Sequence, residues 1–307
     1  MSNTIDRTKA ISGTEVAALF GMSPYVTKFG LYARKKGLVE PIAQTPRMRL
    51  GKLLEPVVVK LFEEDSGKSI DWADKLIAHP KEPIVIGTPD GYECPGGGDT
   101  HIHFDRSDPA PGSTAGFEAK TAGLDRAFEW GEEGSDMVPR HYIFQAQWYM
   151  LLTSLKKWYL AALIGGNDFR KFELTADEEL QALMLDEARK FVHDHLEADV
   201  APPVDGSEEA NEALQRLYPS PTEGIRPATD AEAEIIVGLT QLSKEMKFLD
   251  ERKETLRNSL KQMIGFSKGL TSPYGKASWS ETKESEYMVH RKAGRSLRVT
   301  GKRGEEE

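Results

Sequence analysis

Glu118 and Lys120 are separated by one small residue in the run Phe-Glu-Ala-Lys, residues 117 to 120. In a strand, side chains two apart project from one face, so the acid and the amine would stand together while Phe117 and Ala119 pack on the other side. Such a pair fits an ordinary surface strand or the acid and base of a hydrolytic site. Asp90 lies in Thr-Pro-Asp-Gly, which is turn chemistry first of all. Adjacent strands run ~4.8 Å apart, so a strand carrying Asp90 beside that of Glu118 would bring two carboxylates within reach of one cation. Two carboxylates and a main-chain carbonyl suit Mg²⁺, and a neighbouring lysine can orient or deprotonate a water. Glu55, in Leu-Leu-Glu-Pro, would add a carboxylate from a helix.

The elements that must position these groups follow from local pattern. "ISGTEVAALFG" has the spacing of a capping box at Ser12 and Glu15, with Gly21 ending a short helix. A second helix begins at the cap Thr45 with Pro46 in its first turn, and Leu50, Leu53, Leu54, Val57, Val58 and Leu61 form an apolar stripe. Glu55 falls at the edge of that stripe, and Pro56 bends the helix. "PIVIGTPDG", "THIHF" and "GFEAKTA" read as a meander of antiparallel strands. "VPRHYIFQAQWYMLLTSL" has helical length and spacing, "KWYLAALIGG" is a buried strand, and "DFRKFELT" pairs with it across a Gly-Gly-Asn-Asp turn. Thr175 and Glu178 form a capping box for a helix reaching about Leu196. The order predicts an α/β core with a mixed sheet.

Residues 1–203 are therefore read as the core and the acidic, Pro- and Gly-containing stretch 204–228 as a linker. In the extension 229–307, Ile235, Leu239, Leu242, Met246, Leu249, Lys253, Leu256, Leu260 and Met263 alternate steps of four and three. That is the seam spacing of a coiled coil, and equally of a long helix packed on its own domain. "LTSPYGKASWSE" reads as a small hairpin and "HRKAGRSLRVTGKR" as a basic tail.

Bulk properties narrow the chemistry. The 307 residues are 39% hydrophobic and 29% charged, a soluble globular composition with no apolar run of membrane-spanning length. Without an apolar N-terminal leader the expected location is the cytoplasm of a bacterial host. Cys94 is the single cysteine, which excludes a disulfide framework, a four-thiolate iron–sulfur cluster and a multi-Cys zinc site. The net charge of −9 argues against a large basic surface, though basic residues need only line the path of a nucleic-acid strand.

"MRLGKLLEP", "GTPDG", "FEAK" and "PRHYIFQAQWYMLLT", in that order, resemble the lambda-exonuclease-like, YqaJ-type viral recombinase branch of the PD-(D/E)XK nucleases over about residues 7 to 200. The resemblance implies a restriction-endonuclease-like α/β core with a mixed central sheet flanked by helices. It implies that Asp90, Glu118 and the Ala119 carbonyl hold Mg²⁺, with Mn²⁺ substituting and two ions in the site. Lys120 would position or activate the attacking water, Glu55 support a metal through water, and Gln145 face the site; Gln147, about 200° further round the helix, would be structural. By spacing, Arg7, Ser12 and Thr14 occupy the family's 5′-phosphate segment, while Ser12 equally fits a plain helix cap with Glu15. The implied activity is 5′-to-3′ hydrolysis of duplex DNA to 5′ mononucleotides, leaving a 3′ single strand for recombination. The implied partners are duplex DNA with a 5′ end, a single-strand annealing protein, and further copies in a trimeric ring.

Other readings stay open. An endonuclease or repair nuclease of the same fold would use the same motifs, and a non-catalytic DNA-end-binding module could recruit partners through 235–263. His101, His103 and Asp105 would share one strand face but fit a solvated strand better than a second metal site. Trp130, Trp148, Tyr149, Trp158 and Tyr159 fit the core better than a base-stacking platform.

Overall fold

The computed structural model describes residues 5–40, 42–73, 75–94, 112–284, 286 and 296–299. His101, His103, Asp105 and most of the basic tail lie outside the described residues. The chain divides into Met1–Leu217 and Tyr218–Glu307.

In the first unit, β1 (Ile11–Ser12) leads into α1 (Val16–Leu19), followed by α2 (Lys28–Lys35) and α3 (Pro46–Ser66). Short strands β2 (Ile70–Trp72), β3 (Ile77–Ala78), β4 (Val85–Gly87) and β5 (Gly91–Glu93) precede β6 (Gly116–Ala122). A 3₁₀ turn at Leu124–Glu129 connects to α4 (Arg140–Thr153), β7 (Lys157–Ile164), β8 (Asp168–Thr175) and α5 (Glu178–Phe191), which continues as a π-helical turn, Val192–Glu197. The main sheet has the order β2-β5-β6-β7-β8 and is mixed, since β6 and β7 run parallel while the other pairs are antiparallel. This is the expected α/β architecture with a mixed sheet between helices.

Two residues decide how the strands divide. The expected meander is split at Pro89 and Asp90: β4 joins β1 and β3 in a small separate sheet, and β5 enters the main one between β2 and β6. The break lets the Asp90 carbonyl accept from Ala73 N–H at 2.9 Å. On the far side, β7 carries Trp158 through Ile164 fully into the core, as its unbroken apolar run requires.

Helix α3 corrects the sequence reading. Thr45 caps it by accepting from Met48 N–H, Pro46 opens it, and Gly67 closes it in the left-handed region. The buried residues are Val58 and Phe62, whereas Leu50, Leu53 and Val57 are exposed. Phe62 stacks on Phe117 and Tyr159 with centroids 5.0 and 5.2 Å apart. The face turned to β6 is thus that of Gly51, Glu55, Val58 and Phe62, chosen by the aromatic fit and not by the larger apolar arc.

Three boundaries also differ. Asp177, not Thr175, caps α5, because Thr175 is still paired with Lys157 in the sheet. Residues 208–217, inside the stretch read as linker, form α6 (Glu208–Leu217), which buries Ala210 and Ala213 against Phe29, Ala33 and Val39. Ser12 belongs to β1, and α1 begins only after Glu15, which makes no side-chain cap bond.

In the second unit, a capping box at Thr229 and Glu232 starts the 35-residue α7 (Asp230–Ile264). The hairpin of β9 (Gly269–Ser272) and β10 (Gly275–Ser278) follows as expected.

Candidate active site

Strands β5 and β6 pair only at Gly91–Phe117 and Tyr92–Gly116, while β6 runs on to Ala122 against β7 alone. The sheet therefore opens beside Glu118, and Asp90, one residue before Gly91, stands at the opening. A strand directs the N–H and C=O of alternate residues to its two neighbours. The Ala115 carbonyl accepts from Glu93 on the β5 side, and the Ala122 carbonyl from Gly165 on the β7 side. Ala119 has the parity of Ala115, so its N–H and C=O both face the opening. Its N–H donates to Asp90 Oδ2 at 2.9 Å.

On the face toward α4, Glu118 is buried. Its Oε1 accepts from Lys120 Nζ at 2.6 Å and from Gln145 Nε2 at 2.7 Å. Its Oε2 is buried with no hydrogen-bond partner among the described residues. An orphaned carboxylate oxygen in an interior is costly unless something cationic meets it. Burial, reinforced by the Asp90 charge and opposed by Lys120, pushes the Glu118 carboxyl up to about 8. Burial works against the Lys120 ammonium, but Glu118 and Asp90 outweigh it and hold the amine above the ordinary lysine range. Nζ also lies 4.9 Å from the Tyr142 ring centroid, a cation–π contact.

Sequence reasoning missed three groups around this core. Tyr149, expected as plain core, is buried, yet its hydroxyl accepts from Gln145 Nε2 and donates to the Thr88 carbonyl, each at 3.3 Å. A Cβ at Gly13 or Gly87 would fall 2.4 or 2.5 Å from Tyr149 Cε1, so both glycines admit the ring. The i, i+4 spacing from Gln145 was the available signal. Tyr142 is raised to about 12, mainly by burial. His141 is lowered to about 4, first by burial and then by Lys120 and Arg126, so it is neutral at pH 7.

Asp90, Glu118, Ala119, Lys120 and Gln145 are thus brought together. Gln147 bonds the Thr175 carbonyl, Asp177 N–H and Gln181, a structural role as expected. Glu55 differs: the α3 face carrying it lies on the Phe117–Ala119 side of β6, so it does not share the face of Glu118 and Lys120. At the N-terminus, Ser12 N–H and Oγ both donate to Glu15 Oε2 at 2.8 Å, and Thr14 Oγ1 is 3.1 Å from Ser12 Oγ. Arg7 is exposed. The cation among these groups is Lys35 of α2, which binds Glu15 Oε2 and the Arg7 carbonyl, each at 2.8 Å.

Among the described residues no three His, Cys, Asp or Glu side chains cluster closely enough to hold a metal by themselves. Two carboxylates and a carbonyl still suit Mg²⁺, which keeps several of its waters and takes one or two carboxylates.

Residues 5–156 match the family model described as YqaJ-like viral recombinase domain. The chain is 29% identical over 263 residues to a Bacillus subtilis (strain 168) protein described as "Uncharacterized protein YqaJ", covering 84% of this chain and 76% of that one. Similar solved structures include the alkaline exonuclease LHK-Exo from Laribacter hongkongensis, at 18% identity and a TM-score of 0.45, covering 63% of this chain and 90% of that one. A phage related exonuclease from Haemophilus somnus 129PT, at 12% identity and a TM-score of 0.43, covers 62% of this chain and 96% of its own. No helix among the described residues is long and apolar enough to cross a membrane.

Proposed function

Because residues 5–156 belong to the YqaJ-like viral recombinase family, we propose that the chain is a divalent-cation-dependent exonuclease acting on duplex DNA from a 5′ end. The products are 5′ mononucleotides and a 3′ single strand for phage-type recombination in the bacterial host cytoplasm. The observation that carries the reading is the buried Glu118 carboxyl beside Asp90 and the Ala119 N–H, whose Oε2 closes no hydrogen bond among the described residues.

Asp90, Glu118 and the Ala119 carbonyl would hold Mg²⁺ or Mn²⁺, with Glu55 supporting through water from the α3 side. A divalent cation held there would supply Lewis-acid chemistry, making water more acidic and offsetting charge on the phosphoryl group. Gln145 fixes Glu118 by binding Oε1 and leaves Oε2 outside that bond. Lys120, held cationic between Glu118 and Tyr142, acts as a donor. It orients the attacking water and steadies the negative charge that develops on the phosphate; it does not take the water's proton.

Arg7, Ser12 and Thr14 would meet the 5′ phosphate. Lys35 adds a second cation beside them, paired with the Glu15 that Ser12 also bonds. A single-strand annealing protein as user of the product and a trimeric ring around DNA complete the reading and rest on the family resemblance alone.

A 5′-labelled duplex incubated with the pure protein and Mg²⁺ tests the proposal: labelled mononucleotide should appear first and chelator should stop it. Absence of degradation with every divalent ion tried sinks the enzymatic reading. Lys120→Ala should lose hydrolysis and keep DNA binding; undiminished cleavage would refute the role of Lys120.

A further inference from the structure

The seam of α7 is exposed along its length: Ile235, Leu242, Leu249, Leu256 and Met263 in one row are 56% or more accessible, and Leu239, Met246 and Leu260 in the adjoining row are exposed too. At ~1.5 Å per residue this apolar strip is about 40 Å long, far more than a solvated helix keeps without reason. We propose that α7 is a self-association element, pairing antiparallel with α7 of a second copy of this chain.

The charges select both the occupant and the direction. In heptad terms the first row occupies d and the second occupies a, with Lys253 as the remaining a residue. A parallel, in-register pair of copies would set Lys253 against Lys253 in one core layer. It would also oppose g to the following e, bringing Glu245 to Asp250 and Arg252 to Arg257, like charge to like charge twice over. Reversing one helix sets a against d and g against g. In the register centred between Lys247 and Phe248, Ile235 meets Leu260, Leu239 meets Leu256, Leu242 meets Lys253, and Met246 meets Leu249, each layer occurring twice. All eight seam residues from 235 to 260 are then used. The two Lys253 ammonium groups stand apart and reach solvent at the rim, and Glu245 faces Arg252 of the other copy on both sides. A shallow hole framed by Leu249, Arg252, Lys253 and Leu256 already lies on this face, the arrangement that accepts a knob from a partner helix.

The test uses the full chain and reads association, so its outcome is separate from that of any nuclease assay. Sedimentation should show reversible pairing, as a dimer or, where the ring of the proposed function also forms, as a pair of rings; a lone trimer would overturn the proposal. Leu242→Glu combined with Leu249→Glu, both on the exposed strip, should abolish this without lowering the melting temperature extrapolated to low protein concentration. Glu245→Arg alone and Arg252→Glu alone should each weaken association about tenfold or more, and the two together should restore it. In a parallel pair the same single reversals would strengthen association, because they relieve the Glu245–Asp250 and Arg252–Arg257 repulsions. In a Cys94→Ser background, Leu239→Cys with Leu256→Cys should form an intermolecular disulfide, whereas Leu239→Cys alone should not. A monomer at high micromolar concentration, tighter binding by either single reversal, or cross-linking by Leu239→Cys alone would each overturn the proposal.

Discussion

Glu118 should bind a proton in the metal-free protein and surrender it to a cation. Its carboxyl is raised to about 8, chiefly by burial and then by Asp90. A group titrating there is about nine-tenths protonated at pH 7. A cation needs the carboxylate, so binding should release about 0.9 proton at pH 7 and about 0.1 at pH 9. Calorimetric titration of chelator-treated protein with Mn²⁺, repeated in buffers of different ionisation enthalpy, counts that proton. The apparent affinity should rise about tenfold per pH unit from roughly pH 6 to 8 and level off above. Glu118→Gln should remove both the proton release and the slope. Folding stability gives a second readout, with the sign fixed by the direction of the shift. The folded carboxyl titrates above the ordinary carboxylate range, so the proton stabilises the metal-free fold. That contribution is full below about pH 4.5 and lost as pH rises toward about 8. Affinity that is flat from pH 6 to 8, with no proton released, would refute the reasoning, because Glu118 would then be ionised already or the cation would bind elsewhere.

Phe62→Ala should cost about 3–5 kcal/mol in urea unfolding, since Phe62 is 1% exposed and stacked on Phe117 and Tyr159. Leu53→Gln, at a residue 63% exposed on the same helix, should stay within about 0.5 kcal/mol; a loss near that of a core leucine would contradict the α3 orientation. Gly87→Ala sets a Cβ 2.5 Å from Tyr149 Cε1 and should cost about 1–3 kcal/mol while lowering nuclease activity through the displaced Tyr149 hydroxyl. Asp177→Ala should lose about 1 kcal/mol of thermal stability as a removed helix cap, with no loss of cap expected from Thr175→Ala.

The chemistry-bearing residues were legible because their signals are local. Glu118 and Lys120 share a face by strand alternation alone, and the 2.6 Å contact needs nothing distant. Asp90 alone reads as turn chemistry and was singled out only together with Glu118 on a neighbouring strand; the break at Pro89 and Asp90 brings it to Ala119. The end of β8 was less legible, since both Thr175 and Asp177 can cap a helix. Pairing of Thr175 with Lys157 on a strand 18 residues away decides between them, and no window on the local sequence contains that information.

The face of α3 was illegible for a deeper reason, and it bears on Glu55. A 21-residue helix with apolar side chains over more than half its circumference has two arcs able to serve as the core face. Periodicity favours the arc with more leucines. Packing chose the arc with Phe62, because Phe117 and Tyr159 present an aromatic surface that one ring fills, and because Gly51 lets the helix approach Thr121. That choice carries Glu55 to the Ala119 side of β6, whereas Gln145 reaches Glu118 from α4 on the other side. Any cation at the opening would then be approached from both faces of the sheet, by Glu118 with its Gln145 anchor from one and by Glu55 from the other. The two carboxylates are consequently separable: Glu55→Gln should weaken cation binding without altering the proton released by Glu118, because Glu118 is held on the α4 face by Lys120 and Gln145.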